Sequence, residues 1–204
     1  MCARTGGPRY ILLVGLAGLF GCAEPHLVPA SSAGDSARAG DASVVAREGG
    51  VTVAATLHAW PGAPAVENHV DAIRVDIENR SKKDLYVARE DITLVGSNVL
   101  TAIPPGSVDV RELTTTTGVL DSADRDTGTA AETFRDEQSS AVEAEVQDFA
   151  LHEGALPAGH RIAGFVYFER QPQKVGGVDL RVVFRQSKDG PIAMTVVLPF
   201  RIER

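Results

Sequence analysis

Ile73-Arg74-Val75-Asp76-Ile77-Glu78, closed by Asn79-Arg80-Ser81, is the stretch that decides the fold. Branched apolar residues alternate with charged ones at a period of two, so one face of an extended strand turns to a core and the other to water. The polar triplet that follows ends the strand as a turn. A helix would scatter Ile73, Val75 and Ile77 around its circumference, which rules out that reading.

The same period extends in both directions. Val51, Val53, Ala55 and then Leu57 share one face, with Thr52, Ala54 and Thr56 on the other. Leu85-Tyr86-Val87 and Ile92-Thr93-Leu94-Val95 give two short strands separated by Arg89-Glu90-Asp91. Three more are predicted at Ile162 to Glu169, Val178 to Gln186 and Ile192 to Ile202. Phe165 and Tyr167 alternate with Val166 and Phe168, so both faces of that strand are apolar, which predicts a central strand packed on each side. Pro199 has no N–H for a ladder and is expected at an edge or bulge.

Between these halves the pattern dissolves after Pro104-Pro105-Gly106. Residues 114–137 are threonine-rich and then acidic, and read as a long surface excursion. Ser139 or Ser140 can cap a short helix running to about Leu151, with Val142, Val146 and Phe149 on one face. Leu156-Pro157-Ala158-Gly159 is a turn. The expected fold is therefore mainly β: an antiparallel immunoglobulin-like β-sandwich of about seven strands over residues 44–204, with one inserted loop and short helix at about 107–151. The order Val-Thr-Val, Ile-Glu-Asn-Arg-Ser before Leu-Tyr-Val, Ile-Thr-Leu-Val-Gly and Gly-Phe-Val-Tyr-Phe-Glu resembles immunoglobulin-like domains of bacterial envelope lipoproteins. The resemblance lies in strand pattern and carries no reactive residue with it.

The amino terminus has a different character. Arg4 and Arg9 precede an uncharged apolar run from Tyr10 to Phe20, the order of charge and hydrophobicity in an export signal. The run is about half the roughly 20 residues a membrane-crossing helix needs. Leu19-Phe20-Gly21-Cys22 resembles the lipobox of bacterial lipoproteins. That resemblance implies cleavage between Gly21 and Cys22, removal of a signal peptide at 1–21, and a diacylglycerol on the Cys22 sulfur. It makes the lipid bilayer the first expected partner. Glu24 stands where an aspartate would resemble an inner-membrane retention signal, so delivery to the outer membrane is favoured in a two-membraned host. An ordinary secretory signal cleaved near Ala23, and a cysteine ending a buried apolar segment, are the alternatives. Residues 29–43 hold no large apolar side chain and are rich in Gly, Ala and Ser, so 22–43 reads as the lipidated cysteine and a flexible tether.

Bulk composition narrows the function. In 204 residues, 44% are hydrophobic and 23% charged, enough for a packed core. The net charge of −7 becomes −9 when Arg4 and Arg9 leave with residues 1–21, and such an acidic body is a poor match for phosphate backbones, so no nucleic-acid partner is expected. Cys2 and Cys22 are the only cysteines, and cleavage would discard one and acylate the other, leaving no internal disulfide.

The search for chemistry yields little. Gly96-Ser97 lacks the second glycine of a nucleophile elbow, since Val99 holds that place, and Ser97 reads as a turn residue. His152-Glu153 begins like a zinc-protease helix, but Leu156 stands where the second histidine must be. His58 and His69 could meet across strands, yet two ligands without a thiolate make a weak metal site. Asp121, Asp124, Asp126 and Glu132 crowd hard oxygens on one loop, the chemistry calcium takes, although Ala123 and Arg125 occupy places where further ligands belong. Trp60-Pro61-Gly62 reads as a cap on the core rather than a platform for a glycan. No cofactor and no catalytic set are expected. The leading expectation is a non-enzymatic, membrane-anchored module that binds an envelope protein or cell-wall partner. A lipoprotein binding calcium or a small ligand through the loop at 121–136 is the alternative, and a hydrolase whose residues meet only in the fold is a lower one.

Overall fold

A computed structural model describes residues 26–30, 43–108, 128–170 and 176–203 of the chain. Among them are eleven strands, in chain order β1 (His26–Pro29), β2 (Ser43–Glu48), β3 (Val51–Thr56), β4 (Val70–Asn79), β5 (Leu85–Val87), β6 (Ile92–Val95), β7 (Val99–Thr101), β8 (Gly154–Leu156), β9 (Arg161–Glu169), β10 (Gly176–Arg185) and β11 (Ile192–Glu203). Two helices accompany them, α1 (Pro64–His69) and α2 (Gly128–Phe149). Every strand pair is antiparallel. One sheet runs β2-β3-β4-β9, and the other follows β1-β11-β10-β5-β8 with β6 also on β10 and β7 on β6. The chain is thus the expected mainly β, antiparallel sandwich, with eleven strands where about seven were expected. The added ones are β1, β7 and β8, whose three or four residues are too few to show a period, and the six-residue β2.

The alternation from Ile73 to Glu78 lies within β4 and is obeyed. Ile73, Val75 and Ile77 are fully buried between the sheets beside Val51, Val53 and Ala55 of β3. Leu180, Val182 and Phe184 of β10 and Val196, Leu198 and Phe200 of β11 meet them from the opposite sheet. On the outer face of β4, Asp76 pairs with Arg74 at 3.1 Å and Arg161 at 2.7 Å, exposed contacts worth little to stability but consistent with a wet surface.

Farther along that outer face a second, smaller core covers the sheet. Val142, Val146 and Ala150, from the end of α2 and just beyond it, pack on Phe165 and Tyr167 of β9 and on Trp60, Val66, Val70 and Ala72. This explains the double-faced β9: Val166 and Phe168 face the inter-sheet core while Phe165 and Tyr167 face the helix. Yet β9 ends its sheet rather than sitting in the middle. Apolarity on both faces reports what covers a strand, not which strands flank it. Its outer edge is occupied by other backbone: Ile103 N–H donates to the Tyr167 carbonyl and Leu151 N–H to that of Phe165, each at 2.8 Å. An edge so occupied is closed to pairing with another chain.

Helix α2 begins at Gly128, eleven residues before the expected cap at Ser139, so it is a 22-residue helix rather than a short one. Its first half carries helix-favouring Ala, Glu, Arg and Gln but no apolar stripe, and a reading that relies on periodicity misses such a segment. Its last turns are pinned to the outer face of the sheet. The buried Tyr167 hydroxyl donates to the Val146 carbonyl at 2.9 Å. Burial pushes the phenol far above its ordinary pKa, so it stays a donor. Tyr167→Phe leaves that carbonyl unpaired, and is expected to lower stability by about 1–2 kcal/mol, measured as a shifted urea midpoint with unchanged slope.

Strand β1 changes the picture of the tether. His26–Pro29 pairs along β11 from His26 opposite Glu203 to Pro29 opposite Phe200, and Leu27 is buried in the inter-sheet core. The stretch 22–43 is therefore not tether throughout: a Leu-Val pair gives this part apolar surface to bury, which 31–42 lacks. Pro199 sits where this short strand stops, its carbonyl accepting from Ala30 N–H at 3.1 Å, so its missing donor falls at the end of a ladder as expected.

Candidate functional site

The registers give the sandwich two distinct ends. At one lie the start of β1, β4 and β10 and the finish of β3, β9 and β11; at the other lie the turn after Asn79, the turn before Arg161 and the hairpin joining β10 to β11. Each end carries a cleft.

The first cleft encloses about 190 Å³. Leu27, Leu57 and Ile73 form its floor, and His58, Glu67, Asn68, Asp71 and Arg170 supply its polar wall. Local sequence explains the placement. His58 directly follows Leu57 at the end of the β3 face and turns the chain at φ 53°, a left-handed conformation uncommon for a residue with a Cβ. Pro64 starts α1, and this short helix delivers Glu67 and Asn68 before β4 begins. Asp71 stands opposite Phe168 in the β4–β9 ladder, and Arg170 follows β9 directly.

Burial raises the Asp71 carboxyl above its ordinary pKa of 3.8, opposed in turn by the charges of Arg170 and His58. The folded protein therefore holds this proton more tightly than the unfolded chain. Stability falls as pH rises from about 4 through the raised folded value, and above that the loss is complete. Asp71→Asn is expected to flatten the dependence of Tm on pH in this window; a variant that keeps the parent slope would contradict the assignment. The wall groups of this cleft are able to donate and accept hydrogen bonds, and none is a hydroxyl or thiol nucleophile.

The second cleft, of about 470 Å³, lies at the other end among Tyr86, Glu90, Glu153, Arg185, Lys188 and Asp189. Two of its charges, Arg185 and Glu153, are bound up in ion pairs. Arg185 makes a two-pronged pair with the buried Asp91, Nε to Oδ2 at 2.5 Å and Nη2 to Oδ1 at 2.7 Å, while Nη1 donates to the Gly190 carbonyl at 3.1 Å. Glu153 is paired with Arg89. The hydrogen-bonded Asp91 carboxylate raises the Arg185 pKa and fixes the guanidinium as a cation there.

Gly21 and Cys22 lie outside the described residues, as do Asp121, Asp124 and Asp126; Glu132 falls within the backbone of α2. Trp60 is buried, but it centres the outer core rather than capping the inter-sheet one. It meets Phe165 edge-on at 5.0 Å and Phe149 at 5.4 Å, and its indole N–H donates to the Ala63 carbonyl. Ser97 lies in the turn between β6 and β7. His152 bonds the Ala150 carbonyl through Nδ1. Among the described residues no three His, Cys, Asp or Glu side chains gather where they could hold a metal ion. No described helix is long and apolar enough to cross a membrane. Sequence reasoning missed Asp71, Glu67 and Arg170. The one available signal was Asp71 just ahead of the Ile73 alternation, on the same face as the buried isoleucines, where an acid is out of place.

Comparison of the chain with protein-family models, with curated proteins and with solved structures returns no match.

Proposed function

We propose that the protein is a lipoprotein of a bacterial envelope, held on a membrane by acylated Cys22, and that its sandwich is a non-enzymatic module for binding or structure. The carrying observation is the order Arg4, Arg9, apolar Tyr10 to Phe20 and Leu19-Phe20-Gly21-Cys22. The start of the first strand at His26 supports it, because cleavage before Cys22 leaves every described strand whole. Two or three acyl chains anchor durably, each buried CH₂ contributing about 0.8 kcal/mol, without a spanning helix. The engagement of Arg185, Asp91, Arg89 and Glu153 in mutual pairs favours a scaffold role for the larger cleft over acid–base work.

Intact-mass measurement on the membrane fraction tests the anchor. The expected product begins at Cys22 and carries the mass of its acyl chains, and Cys22→Ala leaves the protein unprocessed or released from the membrane. Normal membrane retention of that variant would overturn the reading.

A further inference from the structure

An anchor at Cys22 would be tied to one particular corner of the sandwich. Only Ala23, Glu24 and Pro25 separate Cys22 from His26, which opens β1 opposite Glu203. Four residue steps reach about 14 Å when fully extended. Strand β4 alone, ten residues long, spans about 30 Å from Val70 to Asn79. The leash is thus about half the length of the body it holds, and the sandwich cannot turn over to bring its Asn79 end to the bilayer.

Leu27 links the leash to the smaller cleft, since it is one residue into β1 and part of that cleft's floor. Resting on the lipoprotein reading, we propose that the corner carrying His58, Asn68, Asp71 and Arg170 is the protein's membrane-facing surface and that its cleft opens onto zwitterionic phospholipid headgroups. Basic and acidic groups stand side by side there, as the phosphate and ammonium of such headgroups require. A mature charge of −9 disfavours an anionic lipid surface. The diagonally opposite cleft at Arg185 and Lys188 is left facing away from the bilayer.

Site-specific labelling of the lipidated protein tests this. In the mature chain Cys22 is the sole cysteine and its sulfur is blocked by lipid, so an added cysteine is the single labelling site. Asn68→Cys and Lys188→Cys place a fluorophore at exposed positions on opposite ends. Each acylated variant is purified from membranes, checked by intact mass, and reconstituted in vesicles of phosphatidylcholine and phosphatidylethanolamine containing a headgroup-linked quencher. The label at 68 is expected to be quenched several-fold more than that at 188. A long Gly/Ser spacer inserted between Pro25 and His26 is expected to abolish the difference. Equal quenching of the two labels in the parent, or stronger quenching at 188, overturns the orientation while leaving the anchor intact. A mass showing an unmodified Cys22 overturns both.

Discussion

Asn79→Ala is expected to lower the stability of the sandwich by about 3 kcal/mol and its Tm by about 10 °C. Asn79 is fully buried at the end of β4 and uses every polar atom it has. Its side-chain amide donates to the Lys83 carbonyl at 2.9 Å and to that of Leu156 at 3.0 Å. Its Oδ1 accepts from the Ser81 amide at 3.0 Å and the Ser81 hydroxyl at 2.6 Å. Its backbone N–H donates to the His160 carbonyl, and its own carbonyl accepts from Gly159 N–H. One side chain therefore ties the turn after β4 to the turn before β9. Removing it strands the buried Leu156 carbonyl and takes the acceptor from the Ser81 amide, while the exposed Lys83 carbonyl keeps the Ser81 hydroxyl at 3.0 Å; each buried orphan costs about 1–3 kcal/mol. Asn79→Asp separates the donors from the shape: it keeps the acceptor, loses both N–H groups and sets a carboxylate against two carbonyls. That variant is expected to be less stable than Asn79→Ala at neutral pH and to recover as pH falls, because the buried acid is favoured protonated. Urea titrations at pH 5 and pH 7.5 check both, and an Asn79→Ala midpoint within error of the parent would contradict the first.

Gly164→Ala is expected to cost about 3 kcal/mol or more, a large penalty for one methyl group. A Cβ on Gly164 would lie 2.5 Å from the Leu151 Cα, 2.6 Å from its nitrogen and 2.8 Å from the Ala150 carbonyl carbon. Those atoms are backbone and cannot rotate away. The segment is also pinned, since Leu151 N–H donates to Phe165 and its side chain is buried in the inter-sheet core. Either β9 shifts against β4 or the chain leaving α2 lifts from the edge, and the second outcome loosens the outer core around Val146 and Trp60. Hydrogen exchange at the Leu151 amide reads this directly. Fast exchange there with the β3 and β4 amides still protected identifies a lifted segment, whereas parent-like protection and stability would refute the close-packing account.

Much of the fold was legible because its signals are local. The alternation in β3, β4, β10 and β11 shows which residues turn inward, and Phe165 to Phe168 announces coverage on both faces. Burial on two faces carries no information about lateral neighbours, so β9 reads as central although it is an edge. The amino half of α2 is invisible to periodicity because it has no stripe to detect, and β1 is too short for alternation to distinguish it from tether.

By itself the sequence determined the strand faces, the antiparallel sandwich class and the export-like order of charge and apolarity ahead of Cys22, since each depends on residues a few positions apart. Only the tertiary structure decided that Asn79 joins two turns 77 residues apart. It alone brought His58, Asp71 and Arg170 to one cleft beside β1, and set Gly164 beneath the backbone at Leu151. The physical reason is common to all three: a hydrogen bond, a shared desolvated pocket or a backbone contact between distant positions leaves no periodic trace in either segment, and exists only once the sheets have closed on one another.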